Sequence, residues 1–237
     1  MILYNIDKDL KICRFIKRIN RFIAEVKCER NDPEYAHLNN TGKLKDLLIP
    51  NTPVVCMNIN GKKTNIRIIG TIVDDRWATL IDTRIQENSF IYAVNHGYIP
   101  WLENFKIMAR DIIVNRSRID LMAKDKYNNI VYIELKSAVY FFKDDLSARY
   151  PDTISLRGRR HIMELINMKY LRRIIVFIAG HPYARVFKPS YNDPEIPLLL
   201  KSAQANGVEI RSVKIALKYW EKSIILLDPD LPVDLNI

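Results

Sequence analysis

Two strand-like segments joined by a short polar turn constrain the fold of this chain more than any other feature. Residues 117–123 and 130–139 are rich in Ile, Leu, Val and Tyr, a composition typical of β-strands. The intervening residues 124–129 are polar and end in Asn128-Asn129, which favours a turn. The sequence therefore predicts an antiparallel hairpin in which the numbers of paired residues sum to about 254.

The register of this hairpin would bring three reactive side chains together. Asp120 falls opposite Glu134, and directly opposed residues have Cβ atoms roughly 5 Å apart. Glu134 and Lys136 share one face because side chains alternate along a strand. Adjacent carboxylates repel each other unless a cation lies between them, and Mg²⁺ is commonly bound by one or two carboxylates with waters and phosphates. The pattern predicts a divalent-metal site with an ammonium group beside it.

Such a cluster suits chemistry on a phosphate. A divalent cation lowers the pKa of bound water and stabilises negative charge on a phosphate. A lysine can orient that water or offset the developing charge. A second interpretation stays open because (D/E)-x-K is a short and common pattern. Asp120, Glu134 and Lys136 would then form only the solvated face of an ordinary hairpin.

The charge of the chain favours a polyanionic partner. Its 237 residues include 37 Lys and Arg against 27 Asp and Glu, a net charge of +10. Residues 1–85 hold 15 basic against 10 acidic residues, and residues 86–237 hold 22 against 17. This even distribution fits binding to nucleic acid, although a basic surface also serves solubility.

The composition is that of a packed globular protein. Hydrophobic residues make up 48% of the chain, but no run of 18 apolar residues could span a membrane. Residues 1–20 lack the apolar stretch of a signal peptide, so we expect a cytoplasmic protein with no membrane partner. Cys13, Cys28 and Cys56 are odd in number and lack metal-finger spacing. We expect them to be small buried residues without a disulfide.

Different patterns divide the chain near residue 85. Several short strands bounded by turn residues predict a small barrel in the first part. The second part changes to an α/β order of helix, three strands, helix and strand. Barrel strands are predicted at residues 21–29, 53–59, 65–73 and 77–82; helices at 85–95, 158–170 and 194–206; and further strands at 105–114, 208–213 and 224–227. The near-continuous apolar run 173–180 predicts a buried central strand.

Six segments together resemble the sugar fermentation stimulation protein A family. The most specific are Ser117-Arg118-Ile119-Asp120, Ile133-Glu134-Leu135-Lys136-Ser137 and the block 150–161, which ends in Arg157-Gly158-Arg159-Arg160-His161; the others are residues 21–26, 37–44 and 61–64. The resemblance implies an α+β or α/β fold in two parts. An OB-fold-like barrel domain would occupy residues 1–85, and a PD-(D/E)xK nuclease-like mixed sheet flanked by helices would occupy residues 86–237.

The resemblance also implies DNA binding and a regulatory role in sugar catabolism. In the nuclease-like domain, Asp120, Glu134 and Lys136 would take the catalytic positions, and Asp120 and Glu134 would bind the metal. Asp111 falls where a third acidic ligand is expected.

The chain departs from the family pattern in three places, one of which is Ser137-Ala138-Val139-Tyr140 after the lysine, where a Val-Thr pattern is commoner. Ile119 replaces the proline that usually precedes the aspartate of the motif, which is a common variation. Leu38-Asn39 replaces a usual Cys-Pro in the barrel part. Because the acid–lysine triad is intact, these departures concern a barrel loop more than the site.

Basic residues near the hairpin and the second predicted helix are candidates for phosphate contact. Guanidinium groups suit bidentate contact with phosphate. Cations at a helix N-terminus are disfavoured by the helix dipole, which favours an anionic partner there. The alternative is a solvated basic surface, with Arg160 paired to Glu164 at i, i+4. The candidates for nucleic-acid binding are Lys62, Lys63, Arg116, Arg118, Arg157, Arg159, Arg160 and His161.

Two functions follow from these observations. The first is a DNA-binding protein that hydrolyses phosphodiester bonds with Mg²⁺ or Mn²⁺. The second is a regulator that binds DNA without cutting it, since a fold alone does not decide function. The sequence does not distinguish DNA from RNA, and it leaves a homo-oligomer open.

Overall fold

The computed structural model describes residues 1–28, 32–61, 64–114, 117–169 and 171–236. Its strands are β1 (Ile2–Asn5), β2 (Leu10–Asn20), β3 (Ile23–Lys27), β4 (Pro33–His37), β5 (Pro53–Asn58), β6 (Ile66–Ile72), β7 (Trp77–Leu80), β8 (Lys106–Val114), β9 (Ser117–Lys124), β10 (Ile130–Ala138), β11 (Tyr140–Phe142), β12 (Ser147–Tyr150), β13 (Arg172–Ala179), β14 (Val186–Pro189), β15 (Glu209–Lys218) and β16 (Ser223–Asp228). Its helices are α1 (Thr83–Asn95), α2 (Leu156–Asn167) and α3 (Glu195–Ala205). No helix in these ranges is long and apolar enough to cross a bilayer.

Five strands close into a barrel in the first part of the chain. β2 pairs with β3 and β5, β3 pairs with β4, and β6 pairs with both β4 and β5. The ring of pairings is complete, so each of these strands has a partner on both edges. Apolar side chains such as Phe15, Val26 and Ile68 fill the interior. The predicted OB-like barrel is confirmed.

A disulfide links two strands of the barrel and corrects the expectation for the cysteines. Arg14 pairs with Lys27 across β2 and β3, which places Cys13 beside Cys28, and these two residues are bonded. The expectation of no disulfide was wrong because β2 was not predicted, so this pairing could not be foreseen. Cys56 is buried as expected, and burial raises the pKa of its thiol to about 12.

The second part of the chain is a mixed sheet that carries the predicted hairpin. β9 and β10 are antiparallel, with Ile130 opposite Lys124 and Ile133 opposite Leu121, which is the predicted register. β10, β13 and β15 are parallel neighbours, while β8 and β16 add antiparallel strands. A smaller sheet of β11, β12 and β14 lies beside the main one.

Helices cover both faces of this sheet. Alternate residues of β13 pack on opposite sides, as the period of a strand requires. Val176 and Ile178 belong to a cluster with the apolar face of α1, whereas Ile175 and Phe177 belong to a cluster with α2 and α3. The prediction of a buried central strand is confirmed, and the architecture is a helix–sheet–helix sandwich.

The barrel and the mixed sheet are continuous. β7 pairs with β6 of the barrel and with β15 of the sheet. Leu80 N donates to Gly180 O at 3.0 Å, and any side chain at Gly180 would collide with the Leu80 carbonyl. β1 also crosses the boundary, because it pairs with β16 near the end of the chain. Because strands pair across it, the domain boundary predicted at residue 85 stays a prediction.

A buried carboxylate joins the start of α2 to the start of α3. Asp193 is fully buried and accepts hydrogen bonds from Ser155 N at 2.8 Å and from Arg159 Nε at 3.0 Å. Ser155 is the N-cap of α2, and its hydroxyl accepts from Gly158 N. Arg159 also pairs with Glu195 in the first turn of α3.

We predict that Asp193→Ala lowers the free energy of unfolding by about 2–3 kcal/mol, because it removes the acceptor of Ser155 N and leaves the Arg159 guanidinium with Glu195 as its one remaining carboxylate partner. Urea unfolding followed by circular dichroism measures this change. Asp144→Ala, at an exposed aspartate, is the matched control and should stay within about 0.5 kcal/mol of the wild type. Equal losses in the two variants would contradict the structural role of Asp193.

Candidate active site

The structure brings the three residues of the predicted triad together. Lys136 Nζ lies 2.5 Å from Glu134 Oε1, and both side chains project from the same face of β10. Asp120 on β9 is anchored from the neighbouring strand, since its Oδ2 accepts a hydrogen bond from Leu135 N at 2.8 Å. The predicted register thus places two carboxylates and an ammonium in one cluster.

Burial makes this cluster unlike a solvated hairpin face. Glu134 is 1% exposed and Lys136 is 9% exposed. Burial alone would raise the pKa of Glu134, but the adjacent ammonium of Lys136 and the His161 ring reverse the effect and lower it. Burial alone would lower the pKa of Lys136, but Glu134 outweighs this and raises it. Both groups are therefore held in their charged forms.

Asp120 differs from Glu134 in the direction of its pKa shift. Burial and the nearby charge of Glu134 raise the pKa of Asp120 to about 6, although Lys136 and the hydrogen bond from Leu135 partly offset the rise. Two neighbouring carboxylates with unequal pKa values are common at functional sites. Near neutral pH both are ionised, which is the state that binds cations.

His161 also belongs to this cluster, although the sequence predicted it as a contact to nucleic acid. It is buried on α2, and its Nδ1 contacts Glu134 Oε1. Arg157 Nε donates to His161 Nε2 at 3.3 Å, so the proton of a neutral ring lies on Nδ1 and is directed at Glu134. In the structure the ring orients a carboxylate, and phosphate contact by His161, which also lines the cavity at the triad, stays a prediction. Its i, i+4 spacing to the apolar Leu165 is a sequence signal that would have indicated its position on the buried face of the helix.

The other predicted phosphate contacts, apart from Arg118, divide into three groups. Arg159 pairs with the buried Asp193 at 2.7 Å and with Glu195, so its guanidinium already has two carboxylate partners, and phosphate contact by this residue stays a prediction. Arg157 and Arg160 are exposed, and Arg160 lies 3.7 Å from Glu164 as the alternative interpretation expected. Lys62, Lys63 and Arg116 lie outside the described residues.

Asp111 and Arg118 form an exposed ion pair of their own. Arg118 Nη2 lies 2.9 Å from Asp111 Oδ1 across the β8–β9 hairpin. Asp111 lines the same cavity as Asp120, so its role as a third ligand stays a prediction. Glu87 on α1 lines that cavity too and was missed by sequence reasoning, because one acidic residue in a helix carries no distinguishing pattern.

Two cavities meet at the triad. The first has a volume of about 370 Å³ and lies between barrel residues 40–44 and the start of α2, with Arg157 in its lining. The second has a volume of about 430 Å³ and extends toward α1. Asp120 and Lys136 line both. The whole triad thus lies in the floor of the first cleft, and two of its members also reach the second cavity.

The donor set fits a hard divalent cation. Glu134 Oε2 is buried and has no hydrogen-bond partner among the residues that the structure describes. A carboxylate oxygen in that position is costly to leave unpaired, and a metal ion with oxygen preference would satisfy it together with Asp120. Across the described ranges no three acidic, histidine or cysteine side chains converge as ready ligands. Water, a substrate oxygen or a shifted carboxylate would have to complete the coordination.

Fold and site together define a two-part protein: an OB-like barrel joined to a mixed α/β sheet that carries a buried acid–lysine cluster. The profile of the sugar fermentation stimulation protein RE domain matches residues 84–221, and that of the SfsA N-terminal OB domain matches residues 16–80. The chain belongs to the sugar fermentation stimulation protein (SfsA) family.

Individual relatives agree with this assignment. A sugar fermentation stimulation protein homolog from Methanosphaera stadtmanae is 34% identical over 226 residues, which cover 92% of each chain. A homolog from Pyrococcus furiosus is 36% identical over 209 residues, covering 87% of this chain and 89% of its own. The solved structure of Pyrococcus furiosus SfsA in complex with Ca²⁺ aligns with a TM-score of 0.91, 34% identity and 99% coverage of both chains.

We predict that Asp120→Asn stabilises the protein at pH 8 but not at pH 4. The pKa of Asp120 rises from 3.8 to about 6 on folding, so the folded state binds more protons between these values and stability falls as pH rises through that window. Asparagine removes this loss, which is on the order of 1–3 kcal/mol, while its side-chain oxygen can still accept from Leu135 N.

Urea unfolding without divalent cations at pH 4 and pH 8 measures the effect. Asp125→Asn in the turn of the same hairpin is the matched control. The hydrogen bond from Asn129 lowers the pKa of Asp125, so this substitution should destabilise the protein more at pH 8 than at pH 4. A pH-independent effect of Asp120→Asn would contradict the raised pKa.

Proposed function

We propose that this protein is a divalent-metal-dependent nuclease that hydrolyses phosphodiester bonds of DNA. The observation that carries the proposal is the buried Glu134–Lys136 pair beside Asp120, with Glu134 Oε2 unpaired at the floor of a cleft. Burying an ion pair on a central strand is rarely worthwhile for stability alone. A catalytic site accounts for its presence.

Asp120 and Glu134 are the residues that would hold the metal, with Mg²⁺ or Mn²⁺ as the expected ion. The structure of the relative from Pyrococcus furiosus is described as a complex with Ca²⁺, another cation that prefers oxygen ligands. A bound divalent cation supplies charge stabilisation at the phosphate and lowers the pKa of water.

The side chains of this chain perform the remaining tasks. Lys136 stays an ammonium because of Glu134, so it donates hydrogen bonds to a phosphate oxygen or to the attacking water and offsets negative charge. Lys136 and His161 both contact Glu134 Oε1, which leaves Oε2 free for a ligand. Arg157 lines the cleft and is suited to a neighbouring phosphate.

DNA is the proposed polymer because of charge. The net charge of +10 is distributed over both parts of the chain, and an OB-like barrel beside a cleft is an arrangement that binds single nucleic-acid strands in other proteins. Nothing in the lining of the site separates deoxyribose from ribose, so RNA is the comparison substrate in any assay.

A second candidate function is DNA binding without cleavage, as in a regulator of sugar-metabolism genes. The observation that favours it is that the described side chains supply two convergent carboxylates rather than three. Calorimetry with Mn²⁺ discriminates the two functions. Absence of metal binding together with salt-sensitive DNA binding would favour the regulator.

We predict that Lys136→Met and Glu134→Gln each reduce DNA cleavage in Mn²⁺ by about 100-fold or more, because each removes a charge that acts on the transition state. A fluorescently labelled oligonucleotide in a gel assay measures the rate. Lys201→Met, at an exposed lysine of α3, is the control and should cleave as the wild type does. Wild-type rates in both site variants would contradict the assignment.

We predict that DNA affinity falls steeply with salt and that Arg157→Gln lowers the slope of log K against log salt by about one, because one phosphate contact is lost. Fluorescence anisotropy at salt concentrations from about 50 to about 300 mM measures the slope. Arg76→Gln, in an exposed turn before β7, is the control. An unchanged slope in Arg157→Gln would remove this residue from the interface.

A further inference from the structure

Two walls enclose the candidate site. One wall consists of barrel residues 40–44, and the other consists of residues 150–155 together with the start of α2. Asp120, Glu134 and Lys136 lie in the floor between them. The barrel therefore contributes directly to the cleft in which the chemistry is proposed to occur.

The two walls touch each other. Leu44 N donates a hydrogen bond of 2.6 Å to Asp152 Oδ2, joining residues that are 108 positions apart. The backbone at Gly42 also approaches this carboxylate, since a Cβ there would lie 2.8 Å from Asp152 Oδ2. A side chain at position 42 would therefore have to displace the Asp152 carboxylate.

The barrel wall is held in place from behind. The guanidinium of Arg18 donates to the backbone oxygens of Asn40, Gly42 and Lys43. Asn40 Nδ2 donates to Ile81 O at 3.2 Å and to Ser137 Oγ at 3.3 Å, next to Lys136. Residues 40–44 therefore cannot move away from the site unless these hydrogen bonds break.

A phosphate must enter this cleft to reach the triad. Glu134 and Lys136 are almost fully buried, so they are not accessible to a phosphate on the outer surface. Lys136 also lines the second cavity, so the two cavities lie next to each other at the triad. Arg157 lines the first cavity and Arg84 lines the second, which places a cation on each side of the triad.

We propose that the cleft selects a single nucleic-acid strand over a duplex. This inference rests on the proposed function. A single strand can turn each phosphate inward and pass between the walls, with its charge met by cations along the groove. A duplex is stiff, with a persistence length of about 50 nm, and carries a second strand beside every phosphate. It cannot bring a phosphate to the floor while Leu44 remains bonded to Asp152.

The test compares one labelled oligonucleotide of about 30 residues, free of self-complementarity, alone and annealed to its complement. Cleavage is measured in Mn²⁺, and binding is measured separately by anisotropy in EDTA. We expect the wild type to cleave the single strand at least about tenfold faster and to bind it about fivefold more tightly. Asp152→Ala should reduce both ratios by improving cleavage and binding of the duplex, because it breaks the hydrogen bond between the two walls and lets residues 150–155 move away from the barrel wall that Arg18 and Asn40 still hold.

Asp46→Ala is the matched control, because this exposed aspartate follows the same barrel wall without contacting Asp152, and both ratios should be kept. Equal or faster cleavage of the duplex by the wild type would overturn the inference and leave the nuclease proposal standing. If neither substrate is cleaved, the nuclease proposal fails, and the binding ratio still decides the inference: a fivefold preference for the single strand supports it, and equal affinities overturn it.

Discussion

The buried pairing of Lys136 with Glu134 is the interaction on which the rest of this structure depends. Two charges removed from water are tolerated only when their geometry and hydrogen bonds are nearly complete. β10 supplies both residues on one face, β9 and β13 hold β10 on either side, and α2 delivers His161 to the same carboxylate oxygen. The strand order and the position of α2 are thus tied to one polar cluster inside an otherwise apolar sandwich.

The barrel is held in a defined position relative to this cluster. β7 joins the barrel to the sheet through backbone pairing, so the position of the barrel relative to the site is set by strand geometry. Asn40 contacts Ser137 beside Lys136, and Leu44 contacts Asp152 in the opposite wall. A loop of the barrel therefore shapes the entrance to a site whose reactive groups all come from the other part of the chain.

The elements that the sequence predicted are those whose signals are local. The β9–β10 register follows from a turn of a few residues between two apolar strands, and β13 follows from an uninterrupted apolar run. β2 was missed because four basic residues, Lys11, Arg14, Lys17 and Arg18, are spread along it, which makes the segment look like a charged surface stretch. The strands β4, β11, β12 and β14 are only three to five residues long, too short for an alternating pattern to identify them, and pairing with a neighbour defines them.

The sequence by itself determined the chemical groups of the site: Asp120, Glu134 and Lys136 are brought together by one hairpin, so spacing and alternation suffice to place them. Only the tertiary structure decided the partners of these groups. His161 reaches Glu134 across 27 positions, Arg159 reaches Asp193 across 34, and Asp152 reaches Leu44 across 108. Contacts of this kind depend on how helices and loops pack against the sheet, and no local periodicity of the chain encodes that packing.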